Sequence, residues 1–233
     1  MYQKFQDIVA AAQQRSPKRV IAIAAAADEK MVHVAKAVTD MGLCDVILVG
    51  DEDALDVLLA EQGLRPEAIT IVDEKDPDRL GLRAVELVSS GKADILVKGK
   101  MNTSDFLRAV LNKEVGLRTG RQLNVLTCYD VPTEPKLFFI TDGGMTIAPT
   151  LADKVEILHN AVPVLHHMGI AEPKIAILAA NEKPSPRCRR PWMPRPCARW
   201  PRPANCRRAF MRPHRVRRGH APGAAAEKAS PAA

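Results

Sequence analysis

Residues 98–108 of this 233-residue chain read Lys-Gly-Lys-Met-Asn-Thr-Ser-Asp-Phe-Leu-Arg, so three cations and three short polar side chains fall within eleven positions. The segment leaves an apolar run, DILV at 94–97, and enters a helical pattern whose N-cap is expected at Thr103 or Ser104. In open α/β sheets ligands bind outside the carboxyl ends of the strands. A helix that starts there presents free N–H groups and a partial positive charge, which suits a phosphate. Lys98 and Lys100 add charge, and Ser104 and Arg108 share a helix face at i, i+4. The segment is not a nucleotide P-loop, which requires G-x-x-x-x-G-K-S/T. Spacing alone leaves two readings open, an anion site or a capped helix with solvated lysines.

Two further segments could take part. Gly116-Leu-Arg-Thr-Gly-Arg121 brackets Arg118 and Thr119 with glycines, either a basic loop that closes over an acidic ligand or an exposed turn. Thr141-Asp-Gly-Gly-Met-Thr146 places Asp142 at the end of an expected strand, beside glycines that let backbone approach a ligand closely, though Asp-Gly-Gly is also a common turn. His159, His166 and His167 have no paired cysteines or carboxylates at ligand spacing, so no metal site is expected, and His166-His167 is expected on a half-exposed helix face. No G-x-S-x-G-type nucleophile motif occurs. Cys44 and Cys128 read as small buried residues.

These segments need a frame to hold them, and the pattern predicts one. Buried strands are expected at 19–27 (RVIAIAAAA), 45–50, 69–72 and 94–97, the first ending in small residues where another backbone comes close and the last two-face apolar, as in a central parallel strand. Between them lie helices at 29–41 (apolar at Met31, Val34, Ala35 and Val38), at 52–62 capped by Asp51, and from Pro77 to Gly91. Beyond residue 120, runs at 123–129 and 136–141 suggest an antiparallel hairpin. A helix from Pro149, interrupted near Pro163 and closed by Gly169, then leads to a last strand at 174–179. Strands alternating with helices argue an α/β fold with a mostly parallel sheet.

Average charge misleads here. Of 34 Lys and Arg, 13 lie in residues 184–233 beside one of the 27 acidic residues, which leaves 21 basic and 26 acidic residues in 1–183, a net charge of −5. The excess of +7 therefore belongs to the C-terminal stretch. Residues 2–15 lack the basic start and apolar core of a secretory signal. No run approaches the ~18 apolar residues of a membrane span. A cytoplasmic protein without a membrane association is expected.

The run from Lys92 to Gly120 (KADILVKGKMNTSDFLRAVLNKEVGLRTG) resembles the phosphate acetyl/butyryltransferase family, as do Ile140–Thr150 (ITDGGMTIAPT) and residues 45–51 (DVILVGD). The likeness covers about residues 1–183 and is to the butyryl-type branch, which includes the acyltransferase half of enoyl-CoA hydratase fusions. It implies a three-layer α/β/α fold with a mostly parallel sheet, isocitrate/isopropylmalate dehydrogenase-like, usually dimeric, with the active site in a cleft between two domains. It also implies the reaction acyl-CoA + phosphate ⇌ acyl phosphate + CoA by direct attack, without a covalent acyl-enzyme. Such chemistry needs donors on the phosphate, a stabilised carbonyl oxygen and a base for the thiol. Lys98, Gly99, Asn102, Thr103, Ser104 and Arg108 match the family's cleft segment; Arg108 and Ser104 are the expected catalytic pair, Arg108 on the phosphate or acyl phosphate. Arg118, Thr119 and Asp142 match its other substrate-binding segments. Coenzyme A and phosphate are substrates, and no cofactor or metal is implied.

Beyond Lys183 the likeness stops. The family continues with an Asn-Pro-Lys-Met-Pro-type loop and with further strands and helices, and it carries a Ser-Arg pair and an Asp near its C-terminus. Residues 184–233 instead hold twelve arginines, both tryptophans and three cysteines, with Val216 the only Leu, Ile or Val. The domain division is thus 1–183, with its sheet incomplete at the C-terminal side, and 184–233, a disordered tail. The tail reads as a shifted frame of a GC-rich gene. Alternatives are a nucleic-acid arm stacking Trp192, Trp200 and Phe210, or a metal module on Cys188, Cys197 and Cys206, whose spacing of nine fits no usual zinc pattern. Nucleic acid is not the expected partner, and family membership alone does not make the chain active.

Overall fold

A computed structural model of the chain describes residues 2–63 and 69–178; the tail from 184 lies outside them. Two compact units divide at residue 164/165. In chain order the elements are α1 (Phe5–Gln13), β1 (Arg19–Ala24), α2 (Glu29–Asp40), β2 (Cys44–Gly50), α3 (Glu52–Glu61), β3 (Thr70–Asp73), α4 (Leu80–Ser89), β4 (Ile95–Lys98), α5 (Thr103–Val110), β5 (Thr127–Tyr129), β6 (Phe138–Ile140) and α6 (Leu151–His167).

Strands β1 to β4 form one parallel sheet in the order β3-β2-β1-β4, with Ile23 beside both Leu48 and Val97. Alternation along β1 builds the layers. Ile21 and Ile23 face a cluster with Val32 and Ala35 of α2 and Leu55 and Leu59 of α3. Ala22 and Ala24 face the opposite cluster, with Ala84 and Leu87 of α4 and Phe106 of α5. The fold is thus α/β with helices on both faces of a mostly parallel sheet. Ile23, Leu48, Leu55 and Leu59 are almost wholly buried, each worth about 1.5–3 kcal/mol.

Several expectations need correction. The run at 94–97 suggested a central strand, yet β4 is the edge of this sheet among the described residues, and Ile95 is 48% exposed. Two apolar faces report cover from helices, not neighbours at the edges; β1 and β2 are the interior strands. In α2 the inward face is Met31, Val32, Ala35 and Val38, and Val34 points outward. Helix α4 begins at Leu80, after a turn in which the Asp76 side chain accepts from Asp78 N. The hairpin forms, but β5 is only three residues long, and before it the backbone N–H and C=O of Val125 go to the side chains of Asp142 and Thr141.

Helix α6 is not interrupted at Pro163. A proline there removes the amide that would reach the His159 carbonyl, and Arg121 donates to that oxygen instead, at 3.2 Å. Residues 174–178 pair with no strand among the described residues, and Leu178 is 80% exposed. Cys44 and Cys128 are half-buried rather than buried, and burial pushes both thiols up.

Candidate functional site

The chain leaves β1 toward β2 on one side, while β4 lies on the other, so the carboxyl ends of β1 and β4 flank a topological switch point. Residues 98–108 emerge there, and local chemistry fastens them. Gly99 N donates to Ala24 O at 2.8 Å and Lys100 N to Ala25 O at 3.0 Å, which continues the ladder past the ends of both strands. A Cβ on Gly99 would stand 2.4 and 2.5 Å from those two carbonyl oxygens, so only glycine fits. The small residues at the end of β1 make this approach possible, as the sequence suggested.

Each cation in the segment already has a partner. Lys98 Nζ donates to the carbonyls of Met101 at 2.9 Å and Gly99 at 3.3 Å, closing the loop on itself. Lys100 Nζ reaches Asp28 Oδ2 at 3.1 Å. Asp28 caps α2 through Lys30 N, and the Lys100 ammonium holds its carboxyl below the usual range against the opposing effect of burial. Arg108 donates to Asp105 Oδ1 at 3.0 Å, while 76% of its side chain stays exposed.

The expected N-cap at Thr103 or Ser104 is corrected to Asn102, whose side chain bonds Asp105 Oδ2 at 3.3 Å and makes no cap bond. Among the described residues no side chain caps the first turn of α5, and Thr103 and Ser104 are exposed on it. Asp105, which the sequence reading passed over, gathers both Asn102 and Arg108. Its spacing of three from each was the available signal.

The loop after α5 is built in the same way. Asn112 Oδ1 accepts from Glu114 N and Val115 N, and Leu117 N returns to Val110 O at 2.8 Å. A Cβ on Gly116 would lie 2.2 Å from Asn112 O. The turn delivers Arg118 and Thr119, both exposed, to the wall of an open cleft of about 350 Å³. Its far wall includes Asn124 and Asn160. Asn160 Nδ2 donates to Gln122 O and Asn124 Oδ1, each at 2.7 Å. None of residues 98–108 lines this cleft.

Asp142 accepts four backbone amides, from Val125, Gly144, Met145 and Thr146, at 2.9 to 3.2 Å. Burial pushes its carboxyl up, but these bonds outweigh burial and hold it below the usual range. The Asp-Gly-Gly turn is therefore organised by its own aspartate and tied to the segment just before β5. His166 and His167 are exposed, and among the described residues no three His, Cys, Asp or Glu side chains converge as metal ligands. No helix among them is long and apolar enough to cross a membrane.

Comparison with known proteins agrees with this architecture. The family model described as phosphate acetyl/butaryl transferase matches residues 4–82 and 79–190. The phosphate butyryltransferase of Clostridium acetobutylicum is 38% identical over 187 residues, 80% of this chain and 62% of that protein. The phosphate butyryltransferase of Clostridium beijerinckii is 40% identical over 71% of this chain and 55% of its own length, and the phosphate acetyltransferase of Thermotoga maritima is 32% identical over 74% and 58%. This chain thus spans less than two thirds of the length of these curated relatives. Among solved structures, a branched-chain phosphotransacylase from Enterococcus faecalis V583 superposes with a TM-score of 0.60 at 28% identity, covering 72% of this chain and 58% of that one. A phosphotransacetylase from Streptococcus pyogenes, at 21% identity and a TM-score of 0.64 over 78% and 65% of the two chains, shares the fold. By its match over residues 4–190 and by these relatives, the chain belongs to the phosphate acetyl/butyryltransferase family.

Proposed function

We propose that this chain carries the phosphate side of an acyltransferase that moves an acetyl or butyryl group between coenzyme A and inorganic phosphate. The observation that carries the reading is the first turn of α5, which no side chain among the described residues caps, at the β1/β4 switch point, with Arg108 one turn further in. A phosphate or acyl phosphate set there takes hydrogen bonds from the exposed amides and from the Thr103 and Ser104 hydroxyls. Arg108 supplies charge as an oxygen of phosphate attacks the thioester carbonyl and the CoA sulfur leaves as thiolate. In the reverse direction the thiolate attacks the acyl phosphate and phosphate leaves.

Lys98, Gly99 and Asn102 shape the loop that aims these donors. Arg118 and Thr119, on the cleft wall, receive the acyl-CoA side, and Asp142 holds the neighbouring turn against Val125. Coenzyme A and phosphate are substrates in this reading, and it requires no cofactor, metal or nucleic acid. It places the protein in the cytoplasm as a homodimer; exposed Leu123, Val125, Phe138 and Ile140 on and beside the hairpin support self-association.

The test is thioester formation from acetyl and butyryl phosphate with CoA. The full chain is expected to catalyse it, and Arg108→Ala to lose roughly a hundredfold in kcat/KM. A folded wild-type chain without activity, or one indifferent to Arg108→Ala, would overturn the reading.

A further inference from the structure

We infer that Asp105 is a positioning residue for the site at the start of α5, an inference that rests on the phosphate-binding reading above. Its two oxygens are divided between two site residues: Oδ1 accepts from Arg108 NH1 at 3.0 Å and Oδ2 from Asn102 Nδ2 at 3.3 Å. Asn102 lies before the first turn of α5 and Arg108 in its last. One carboxylate therefore links the residue that starts the helix to Arg108 in its last turn.

Two physical effects of this arrangement oppose each other. A carboxylate beside an anion site repels the anion, which weakens binding. A carboxylate that holds an otherwise free guanidinium and amide in one orientation removes ordering that binding would have to supply, which strengthens it. The Arg108 side chain is 76% exposed, and without a partner it would sample many rotamers. Asn102 takes no part in capping through its side chain, so its bond to Asp105 is not an ordinary helix-start interaction. The geometry points to orientation as the larger effect.

The signs of the two effects separate them. Inorganic phosphate and butyryl phosphate are titrated into the full chain by calorimetry, for wild type, Asp105→Asn, Asp105→Glu and Arg108→Ala. If Asp105 only repels the ligand, Asp105→Asn binds more tightly than wild type. If it positions Arg108 and Asn102, Asp105→Asn binds up to about fivefold more weakly, the range open to an exposed pair, and Asp105→Glu recovers part of the loss. Thermal unfolding of each variant reports folding separately. Unchanged or tighter binding by a folded Asp105→Asn, while Arg108→Ala weakens it, overturns the inference alone. A folded wild-type chain that binds neither ligand, or an Arg108→Ala that binds as wild type does, overturns the phosphate reading and this inference with it.

Discussion

The guanidinium of Arg121 donates to the carbonyl of His159, the acceptor that Pro163 deprives of its usual helical amide. The same NH1 lies 3.4 Å from Asn160 Oδ1. The basic loop at 116–121 and helix α6 are therefore joined where the helix is chemically weakest. Arg121→Ala is expected to cost about 1 kcal/mol in urea denaturation. In a Pro163→Ala background, where the helix satisfies its own carbonyl, that cost should fall to near zero. Equal costs in both backgrounds would show that the two residues are not coupled.

Gly99 marks the closest approach of the two site-forming strands. The Cβ of Gly99→Ala would meet backbone oxygens at 2.4 and 2.5 Å, and neither can swing away as a side chain could. A loss of about 3 kcal/mol in unfolding free energy is expected, with loss of phosphate binding as the start of α5 is pushed off β1. Wild-type stability in this variant would contradict the close packing of the crevice.

The Asp28–Lys100 pair predicts a pH dependence. The carboxyl of Asp28 is lowered in the folded state from an ordinary value of 3.8, first by the bond from Lys100. A lowered folded value means the pair stabilises fully above 3.8 and loses its effect as pH falls through the still lower folded value. The difference in urea midpoint between wild type and Asp28→Asn should therefore be largest near neutral pH and shrink below pH 3.8. A difference that grew on acidification would reverse the sign and reject the pair.

The four amides gathered by Asp142 give a local prediction. Asp142→Ala should raise hydrogen exchange at Val125, Gly144, Met145 and Thr146 by about tenfold or more. Amides in β1 and β2 should exchange as in wild type. Exchange unchanged at those four positions would leave the turn without its organiser.

Much of this architecture was legible in the residues themselves. Period and punctuation are local properties, so the apolar runs around Ile23, Leu48 and Val97 and the cap at Asp51 marked out alternating strands and helices. The long run around residues 98–108 carried the family, because order and identity over many positions exceed what spacing can say. Tertiary structure decided which strands are neighbours and which charges are free. The run at 94–97 could not reveal an edge, since pairing across a sheet depends on residues far away in sequence. Lys98 and Lys100 looked available for a ligand until the fold closed one on the carbonyls of its own loop and set the other against Asp28, 72 positions earlier. Pro163 predicted a break that Arg121 repairs from 38 residues away from His159, the oxygen it serves. A hydrogen-bonding group has its identity in the sequence, but its partner is fixed by the three-dimensional path of the chain.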